Sequence, residues 1–352
     1  MAGADRTSPW GRAHAVVAGL GTSGYAAADA LLELGASVTV LDDGDDESLH
    51  EHARILEALG ARVRLGPGSS ARLPDGADVV MCGVNSFGIE WAGEHLARLM
   101  KPGQKLLTVT KGMRADDDGT MRILPDVLRS YFDPELAESV SWNAIVGPSI
   151  AGELAVHHDT CVVFCGQDQD DLDYLADLFR TDYYHVWTST DFVGHETGAA
   201  TKNVYAFAAG FAQGMLRAAG KENDRYVMYN YGAAVFAQGQ KELRSFVTLM
   251  GGDPVTADGL GGVGDMFVTS MGGRNVKAGG YVGEGIAFSE VQDRYMKGVT
   301  LEGVAAIKVI GKALGPLTER GVIGPDEYPL CRFLYSVVAE DAPLEMPWGR
   351  VF

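Results

Sequence analysis

A glycine-rich turn near the start of the chain has the residue types that hold a dinucleotide. Gly19-Leu20-Gly21-Thr22-Ser23-Gly24 matches G-x-G-x-x-G and stands between a strand-like run at 14–18 and a helix-like run at 23–34. The first glycine permits a tight turn, the second lets the backbone approach a pyrophosphate, and the third lets helix and strand pack closely. Free N–H groups at the start of the helix would face the phosphates. The predicted cofactor contacts here are Gly19, Gly21, Thr22, Ser23 and Gly24.

The acidic residue after the second predicted strand bears on which dinucleotide binds. Asp42 follows the run 37–41 and lies about 20 residues after the turn. A carboxylate at this place can accept a hydrogen bond from the ribose 2′-hydroxyl and would repel a 2′-phosphate. The sequence therefore predicts NAD rather than NADP. The alternative is that Asp42, Asp43, Asp45 and Asp46 form only a solvated acidic turn.

The run 16–42 also resembles the N-terminal domain of a muramyl-peptide ligase. Such an enzyme should carry a phosphate loop of the form G-x-x-x-x-G-K-[ST] further along the chain. That pattern does not occur in the sequence, so this hypothesis is set aside.

Strand-like and helix-like runs alternate up to about residue 190, which is typical of parallel βαβ units. The predicted strands are 14–18, 37–41, 62–65, 78–84, 105–108, 144–146, 160–165 and 184–188. From Asp191 onward helical periodicity dominates, as at 201–217, 227–249 and 301–314, with a glycine-rich loop at 259–264. The predicted fold class is α/β, with an N-terminal Rossmann-type doubly wound sheet followed by an all-α C-terminal domain. We expect the NAD-binding domain at 1–190 and the substrate-binding, catalytic domain at 191–352.

Four separated polar segments could supply the chemistry of a dehydrogenase. They are Thr110-Lys111-Gly112, Gly147-Pro148-Ser149-Ile150, the run from Gly198 to Lys202-Asn203, and Gly264-Asp265 followed by Thr269 and Gly273-Arg274-Asn275. Reduction of a ketone by hydride needs a positive or acidic group at the carbonyl oxygen, where negative charge develops. A lysine can stabilise and protonate that oxygen, and an aspartate beside it can orient the lysine. Arginine suits phosphate because its planar fork binds two oxygens at once.

In their order and spacing these segments resemble the NAD-dependent glycerol-3-phosphate dehydrogenase family. The resemblance runs from about His14 to about Gly303, which is most of the chain. It implies an NAD-dependent oxidoreductase that interconverts sn-glycerol 3-phosphate and dihydroxyacetone phosphate by hydride transfer. It also implies a small phosphorylated substrate and a homodimer.

The resemblance assigns a role to individual residues of the helical domain. Lys202 takes the acid/base role, with Lys111 and Asp265 beside it. Asn203 would bond the substrate hydroxyls. The residues implied to hold the substrate phosphate are Thr269, Arg274 and Asn275.

Further cofactor contacts are expected from scattered positions. Arg274 is also a candidate for the cofactor pyrophosphate, and Glu302 matches a family glutamate near the cofactor. Ser86 and Ala151 lie just past predicted strand ends and are further candidates. His195 stands two helical turns before Lys202 and could share a face with it, but we expect it to have a packing role.

The sequence departs from the family pattern at two places. Thr201 replaces the leucine usual before the catalytic lysine. In the stretch 222–231 the family lysine becomes Arg225, two alanines become Tyr226 and Val227, and an arginine becomes Tyr231. Added tyrosines change the packing volume of a helix face. A dehydrogenase for a larger phosphorylated alcohol, aldehyde or hydroxy acid is therefore an alternative.

Two other hypotheses about the function are compatible with the sequence. One is a β-hydroxyacid-type dehydrogenase related to ketopantoate reductase or 6-phosphogluconate dehydrogenase, against which the Gly-Gly-Arg-Asn run at 272–275 argues. The other is a non-catalytic NAD sensor, which predicts cofactor binding without turnover. The lysine–aspartate set argues against a sensor.

Charge and cysteine content exclude several other classes of protein. A net charge of −18 over 352 residues disfavours nucleic acid and anionic lipid as partners. The residues Cys82, Cys161, Cys165 and Cys331 form no C-x-x-C pair, so free thiols and no metal site are expected. No apolar run approaches about 18 residues, so no membrane span is expected. The first dozen residues lack the apolar core of a signal peptide, and we expect a cytoplasmic protein.

Overall fold

The computed structural model describes residues 9–69, 78–221 and 228–352. The chain divides into two compact units. The first consists of Met1–Thr110, Pro125–Ile145 and Phe164–Thr190, and the second of Lys111–Leu124, Val146–Val163 and Asp191–Phe352. The assignment of an NAD-binding domain to 1–190 and a substrate-binding domain to 191–352 stays a prediction.

Strands and helices alternate through the first half of the described chain. The strands are β1 (His14–Ala18), β2 (Ser37–Asp42), β3 (Arg62–Leu65), β4 (Val79–Cys82), β5 (Lys105–Thr108), β6 (Met113–Ala115), β7 (Met121–Ile123), β8 (Ser141–Val146), β9 (Thr160–Gly166) and β10 (Tyr184–Ser189). The helices up to the last strand are α1 (Thr22–Glu33), α2 (Glu47–Ala58), α3 (Ile89–Leu99), α4 (Leu124–Arg129), α5 (Pro134–Ser139), α6 (Ala151–Ala155) and α7 (Gln169–Phe179).

The described residues after β10 form helices and turns only. The helices are α8 (Phe192–Ala209), α9 (Phe211–Ala218), α10 (Tyr229–Leu249), α11 (Asp265–Ser270), α12 (Arg274–Gly283), α13 (Phe288–Glu290), α14 (Glu302–Glu319), α15 (Pro329–Ala339) and α16 (Trp348–Val351). The predicted fold class, a Rossmann-type sheet followed by an all-α C-terminal domain, is therefore confirmed. None of the helices in the described ranges is long and apolar enough to cross a membrane.

The large sheet has the strand order β10-β9-β8-β5-β4-β1-β2-β3 among the described residues. β1 pairs in parallel with β2 on one side, where His14 is opposite Ser37, and with β4 on the other, where Val16 is opposite Val80. The strand order therefore reverses at β1. In open α/β sheets, ligands bind in the crevice at the carboxyl ends of the strands at such a switch point. The glycine-rich turn after β1 lies at this end of the strand.

Apolar side chains on both faces of β2 account for the burial of this strand. Val38, Val40 and Leu41 are almost fully buried, as expected for parallel strands covered by helices. Leu20 and Leu56 belong to the same hydrophobic cluster, which extends to α1 and α2. Each such side chain stabilises the fold by about 1.5–3 kcal/mol.

Helix α8 lies at the centre of the second unit and packs against α10, α11, α12 and α14. Its close approach to α12 requires residues without side chains. A Cβ atom on Gly279 would stand 1.9 Å from the carbonyl oxygen of Phe207, and one on Gly210 would stand 2.0 Å from that of Val276. Small residues thus let the two backbones touch.

The hairpin β6–β7 follows Lys111 and is held against α14. Arg320 donates hydrogen bonds of 3.0 Å to both the carbonyl and the carboxylate of Asp118. Gly119, with φ +85°, lies so close that a Cβ atom there would meet the carbonyl oxygen of Ala313 at 2.7 Å. The chain segment that follows Lys111 is therefore anchored to a long helix.

Candidate active site

Lys202 is carried by the buried central helix α8. The Asp191 carboxylate caps the start of this helix by accepting from the Gly194 N–H at 3.0 Å. The Thr201 hydroxyl donates to the Thr197 carbonyl at 2.8 Å, so Thr201, the departure from the family leucine, is satisfied within its own helix. Lys202 is only 5% exposed, and its position is fixed by the helix.

The carboxylate of Asp265 holds two lysine side chains. Lys202 Nζ forms an ion pair with Asp265 Oδ1, and Lys111 Nζ lies 3.1 Å from Oδ2. Lys202 Nζ also donates to Thr269 Oγ1 at 3.1 Å, while the Thr269 hydroxyl donates to the Asp265 carbonyl at 2.7 Å. Two ammonium groups on one carboxylate leave an excess of one positive charge. Four of the residues selected from sequence thus come together: Lys111, Lys202, Asp265 and Thr269.

The environment of Lys202 lowers its pKa to about 8. Burial is the largest cause, because it disfavours the charged form, and the nearby Lys111 acts in the same direction. Asp265 opposes both by attracting the ammonium. A lysine with such a pKa can both give and take a proton near neutral pH.

The segment that leads into Asp265 lies along α8. The Asp191 carboxylate accepts from the Thr256 hydroxyl at 2.5 Å and from the Asp253 N–H at 3.0 Å. Just before Asp253, a Cβ atom on Gly252 would stand 2.5 Å from the Cα of Gly194. These contacts fix where the turn Leu260–Gly264 begins and hence where Asp265 lies.

The start of α12 presents donors that suit an anion. The helix begins at the exposed Arg274 after Gly273, whose φ is +98°, and within the described chain no side chain caps it. Asn275 Oδ1 accepts from the Gly303 N–H at 3.1 Å. That bond orients the side-chain amide of Asn275, whose NH₂ group keeps two donors for a ligand. This favours a ligand rich in acceptor oxygens.

Asn203 of α8 and Glu302 of α14 lie near Asn275, where the start of α14 meets α8 and α12. A Cβ atom on Gly303 would stand 2.5 Å from the carbonyl oxygen of Asn203 and 2.8 Å from Cγ of Asn275. Glu302 is the first residue of α14 and precedes Gly303. Sequence reasoning missed Gly303, although a glycine in the first turn of a helix is a signal for close backbone contact.

The glycine-rich turn in the first unit has the geometry that a dinucleotide needs. Gly19 has φ +95°, and a Cβ atom on Gly24 would stand 1.8 Å from the carbonyl oxygen of Gly19. Space is open around the Cα atoms of Gly19 and Gly21, and no side chain from the described residues caps α1 at Gly21. Thr22 and Ser23 begin α1. The turn can therefore admit a pyrophosphate against the helix N-terminus.

Asp42 is tied to this turn by its carboxylate. Oδ2 accepts from the Leu20 N–H at 2.6 Å, and Oδ1 accepts from the Gly44 N–H at 2.7 Å. The residue therefore orders the glycine-rich turn, a function that the sequence reading did not include. Each carboxylate oxygen keeps a lone pair that a ribose hydroxyl could use.

The remaining selected positions lie at the starts of short helical segments or outside the described ranges. Ser86 is buried at the start of the single turn Ser86–Gly88, and Ala151 is exposed at the start of α6. In the stretch that departs from the family, residues 222–227 lie outside the described ranges. The Tyr231 ring packs edge-on against Trp348, with ring centroids 5.1 Å apart.

A parallel sheet with a glycine-rich phosphate turn and a buried lysine–aspartate pair define a nicotinamide-dependent dehydrogenase. The family model described as NAD-dependent glycerol-3-phosphate dehydrogenase N-terminus matches residues 15–172, and the model described as its C-terminus matches residues 191–347. The chain belongs to the NAD-dependent glycerol-3-phosphate dehydrogenase family.

Individual relatives agree with this assignment. A glycerol-3-phosphate dehydrogenase [NAD(P)+] of Enterococcus faecalis is 28% identical over 338 residues, covering 94% of this chain and 92% of the relative. One of Geobacter sulfurreducens is 32% identical over 251 residues, covering 71% and 68%. The solved glycerol-3-phosphate dehydrogenase of Saccharomyces cerevisiae shares the fold, with a TM-score of 0.77 at 18% identity over 96% of this chain and 99% of that one.

Proposed function

We propose that this chain interconverts sn-glycerol 3-phosphate and dihydroxyacetone phosphate with NAD as the hydride carrier. The observation that carries the proposal is the buried cluster in which Asp265 holds Lys202 and Lys111. Membership of the family adds independent support.

Lys202 performs the proton transfer of this reaction. When bound, NADH supplies the hydride that adds to the carbonyl carbon of the ketone. As negative charge develops on the carbonyl oxygen, the Lys202 ammonium stabilises that oxygen and donates a proton to it. In the reverse direction neutral Lys202 accepts the proton of the alcohol. Asp265 orients Lys202, and Lys111 adds positive charge beside the substrate oxygen.

The substrate phosphate binds at the start of α12. Asn275, whose amide is oriented by the bond from the Gly303 N–H, offers the donors of its NH₂ group, and the uncapped helix N-terminus favours an anion. Arg274 supplies a fork of N–H donors that can reach the substrate phosphate or the cofactor pyrophosphate. Thr269 and Asn203 complete the proposed set of substrate contacts.

The cofactor contacts proposed for the first unit are the turn 19–24, Asp42 and Ser86. Asp42 places a negative charge beside the glycine-rich turn, which favours NAD over NADP. The names of the Enterococcus and Geobacter relatives give NAD(P)+, which does not distinguish the two cofactors. The proposed preference for NAD therefore rests on Asp42 alone. Ala151, Arg274 and Glu302 are proposed as further cofactor contacts.

The proposal extends to assembly and location. We infer a homodimer from the family resemblance and a cytoplasmic enzyme from the residue pattern of the sequence. The domain that binds NAD is proposed to span 1–190, and the domain that binds substrate 191–352.

A larger phosphorylated alcohol or aldehyde is the second candidate substrate. It is favoured by Tyr231, which stands where the family has an arginine and whose buried hydroxyl lacks a hydrogen-bond partner among the described residues. Its ring packs edge-on against Trp348.

Absorbance of NADH distinguishes these candidates. The purified enzyme is mixed with NADH and dihydroxyacetone phosphate, with dihydroxyacetone as the control that lacks the phosphate, and with bulkier phosphorylated ketones and aldehydes. We expect fast oxidation of NADH only with dihydroxyacetone phosphate. Turnover of the bulkier esters alone would establish the second candidate, and NADH binding without turnover of any of them would point to a sensor.

A further inference from the structure

Helix α8 and the segment 252–265 run side by side in the same direction. Gly252 packs on Gly194, Gly261 and Gly262 pack on Gly198, and Asp265 pairs with Lys202. At the glycine positions the backbones approach without side chains between them. The position of Asp265 relative to Lys202 is therefore set by how closely this segment lies on the helix.

The ring of His195 lies between the glycine contacts that join α8 to the segment 252–265. It is 6% exposed, and its Nδ1 is buried without a hydrogen-bond partner among the described residues. A Cβ atom on Gly261 would stand 2.7 Å from this Nδ1 and 2.9 Å from Cγ2 of Val146. The imidazole and a valine side chain thus both pack against the face of Gly261 where a side chain would stand.

An apolar side chain would fill this space without leaving a buried nitrogen unpaired. Packing alone therefore does not explain a histidine here. Gly261 lies in the turn Leu260–Gly264, which passes directly into α11 at Asp265. Gly261 precedes Asp265 by only four residues, so a shift of Gly261 caused by a change at the imidazole would also move Asp265.

We propose that His195 is a positioning residue. Its ring sets the distance between Gly261 and α8 and thereby keeps Asp265 in contact with Lys202. The inference rests on the proposed function, in which Lys202 is the acid/base group. His195 touches no reacting atom and acts through Asp265.

The charges around His195 are compatible with a neutral ring. Asp191, on its own helix, is the charged group that acts on it, and burial lowers the pKa of His195 more than Asp191 raises it. The turn 260–264 and Val146, which pack on the ring, carry no charge. His195 is therefore uncharged at the pH near 8 where Lys202 titrates.

Loss of the ring has a kinetic signature that a loss of stability alone does not have. Without the ring, the turn can shift relative to α8 and carry Asp265 away from Lys202. Asp265 is the group that raises the pKa of Lys202, so the pKa of Lys202 falls further. The pH at which ketone reduction declines should move down by about one unit, while the affinity for NADH stays unchanged.

Three variants test this inference: His195→Ala, Gly261→Ala and the double variant. Gly261 does not have a left-handed φ, so alanine is compatible with its backbone. Each single change should lower kcat by about tenfold and shift the pH profile, because the first removes the wedge and the second adds a clash. In the double variant the new methyl group enters the space left by the imidazole and only its close approach to Val146 remains, so we expect both quantities to recover part of the way toward wild type. Leu334→Ala, in the buried core at α15, is the control that should lower Tm without moving the pH profile.

Single variants with a lowered Tm and an unshifted pH profile would overturn the inference, and so would a double variant no better than the worse single one.

A second readout is independent of turnover. The lysines are reductively methylated with ¹³C, and Lys202 is assigned by the resonance missing in Lys202→Ala. Its titration midpoint should fall in His195→Ala and recover in the double variant. If the wild type turns over no dihydroxyacetone phosphate, the proposed function is wrong, whereas an unchanged midpoint contradicts the positioning role.

Discussion

At the scale of single residues, the central feature is one buried ammonium whose charge is finely balanced. Burial and Lys111 favour neutral Lys202, and Asp265 favours the charged form. Motif order in the sequence was enough to select all three residues. It could not give the pKa of Lys202, because that depends on burial and on distances between segments far apart in the chain.

The first prediction concerns pH. Reduction of the ketone needs protonated Lys202, so kcat/KM for dihydroxyacetone phosphate should fall as pH rises through about 8. Oxidation of glycerol 3-phosphate needs neutral Lys202, so its kcat/KM should rise over the same range. Initial rates in both directions between pH 6 and about 10 measure this. Profiles with the same sign in both directions would contradict the acid/base role.

The second prediction concerns Asp42. In Asp42→Asn the negative charge is lost, so the preference for NADH over NADPH, as a ratio of kcat/KM values, should fall by about tenfold or more. NADH should also bind less tightly, because the new amide cannot accept from both Leu20 and Gly44. Asp43→Asn, a change of the exposed neighbour, is the matched control. An unchanged cofactor ratio in Asp42→Asn would show that the aspartate only orders the turn.

At the scale of elements, a second buried carboxylate joins three helices of the second unit. Glu242 of α10 accepts from the N–H groups of Leu330 and Cys331 at 2.7 and 2.9 Å, at the start of α15. It also accepts from the Tyr205 hydroxyl of α8 at 3.1 Å and from Gln238 at 2.8 Å. The glutamate thus caps α15 from another helix, since Tyr328, which precedes α15, has φ +58° and does not cap it.

The third prediction follows from this cap. Glu242→Gln places an NH₂ group against a backbone N–H, so the free energy of unfolding should fall by about 2–3 kcal/mol. Chemical denaturation followed by circular dichroism measures the loss. The same exchange at Glu290, whose ion pair with Arg294 is exposed, should change stability by less than about 0.5 kcal/mol. Equal effects at the two sites would exclude a capping role for Glu242.

The elements themselves were predictable where the pattern is local. The predicted strands 14–18, 62–65 and 105–108 agree with β1, β3 and β5 to the residue, because short apolar runs between turns are distinctive. The predicted helix 201–217 begins too late and continues across Gly210, whereas α8 starts at Phe192 and ends at Ala209, and α9 begins at Phe211. Gly210 must approach Val276 closely, and such a tertiary contact leaves no periodic signal. The hairpin β6–β7 was not predicted, since its strands have three residues each.

The limits of the site prediction have the same physical origin. Lys111, Lys202 and Asp265 were found because each lies in a short recognisable motif. The link from Asp42 to Leu20 and the contact of His195 with Gly261 involve backbone atoms of distant segments. Such contacts depend on packing, which a single sequence does not display.

At the scale of the whole molecule, the mass of the particle in solution tests the proposed homodimer. The chain has a mass of 37.5 kDa, and the fourth prediction is a particle of twice that mass by light scattering coupled to size-exclusion chromatography. The mass should persist on dilution to the concentration of the assay. With a net charge of −18 per chain, the two subunits repel each other more at low salt, so moderate salt should not dissociate them. A particle with the mass of one chain would contradict the homodimer.

Lys202 is proposed to transfer the proton in an NADH-dependent reduction of dihydroxyacetone phosphate. The most direct measurement is NADH oxidation by wild type, Lys202→Ala and the control Lys241→Ala, which changes an exposed lysine of α10, together with the Kd for NADH of each. We expect kcat to fall by about 10²–10⁴-fold in Lys202→Ala only, with the Kd for NADH unchanged in all three proteins. A Lys202→Ala enzyme whose kcat stays within about tenfold of wild type would contradict the account.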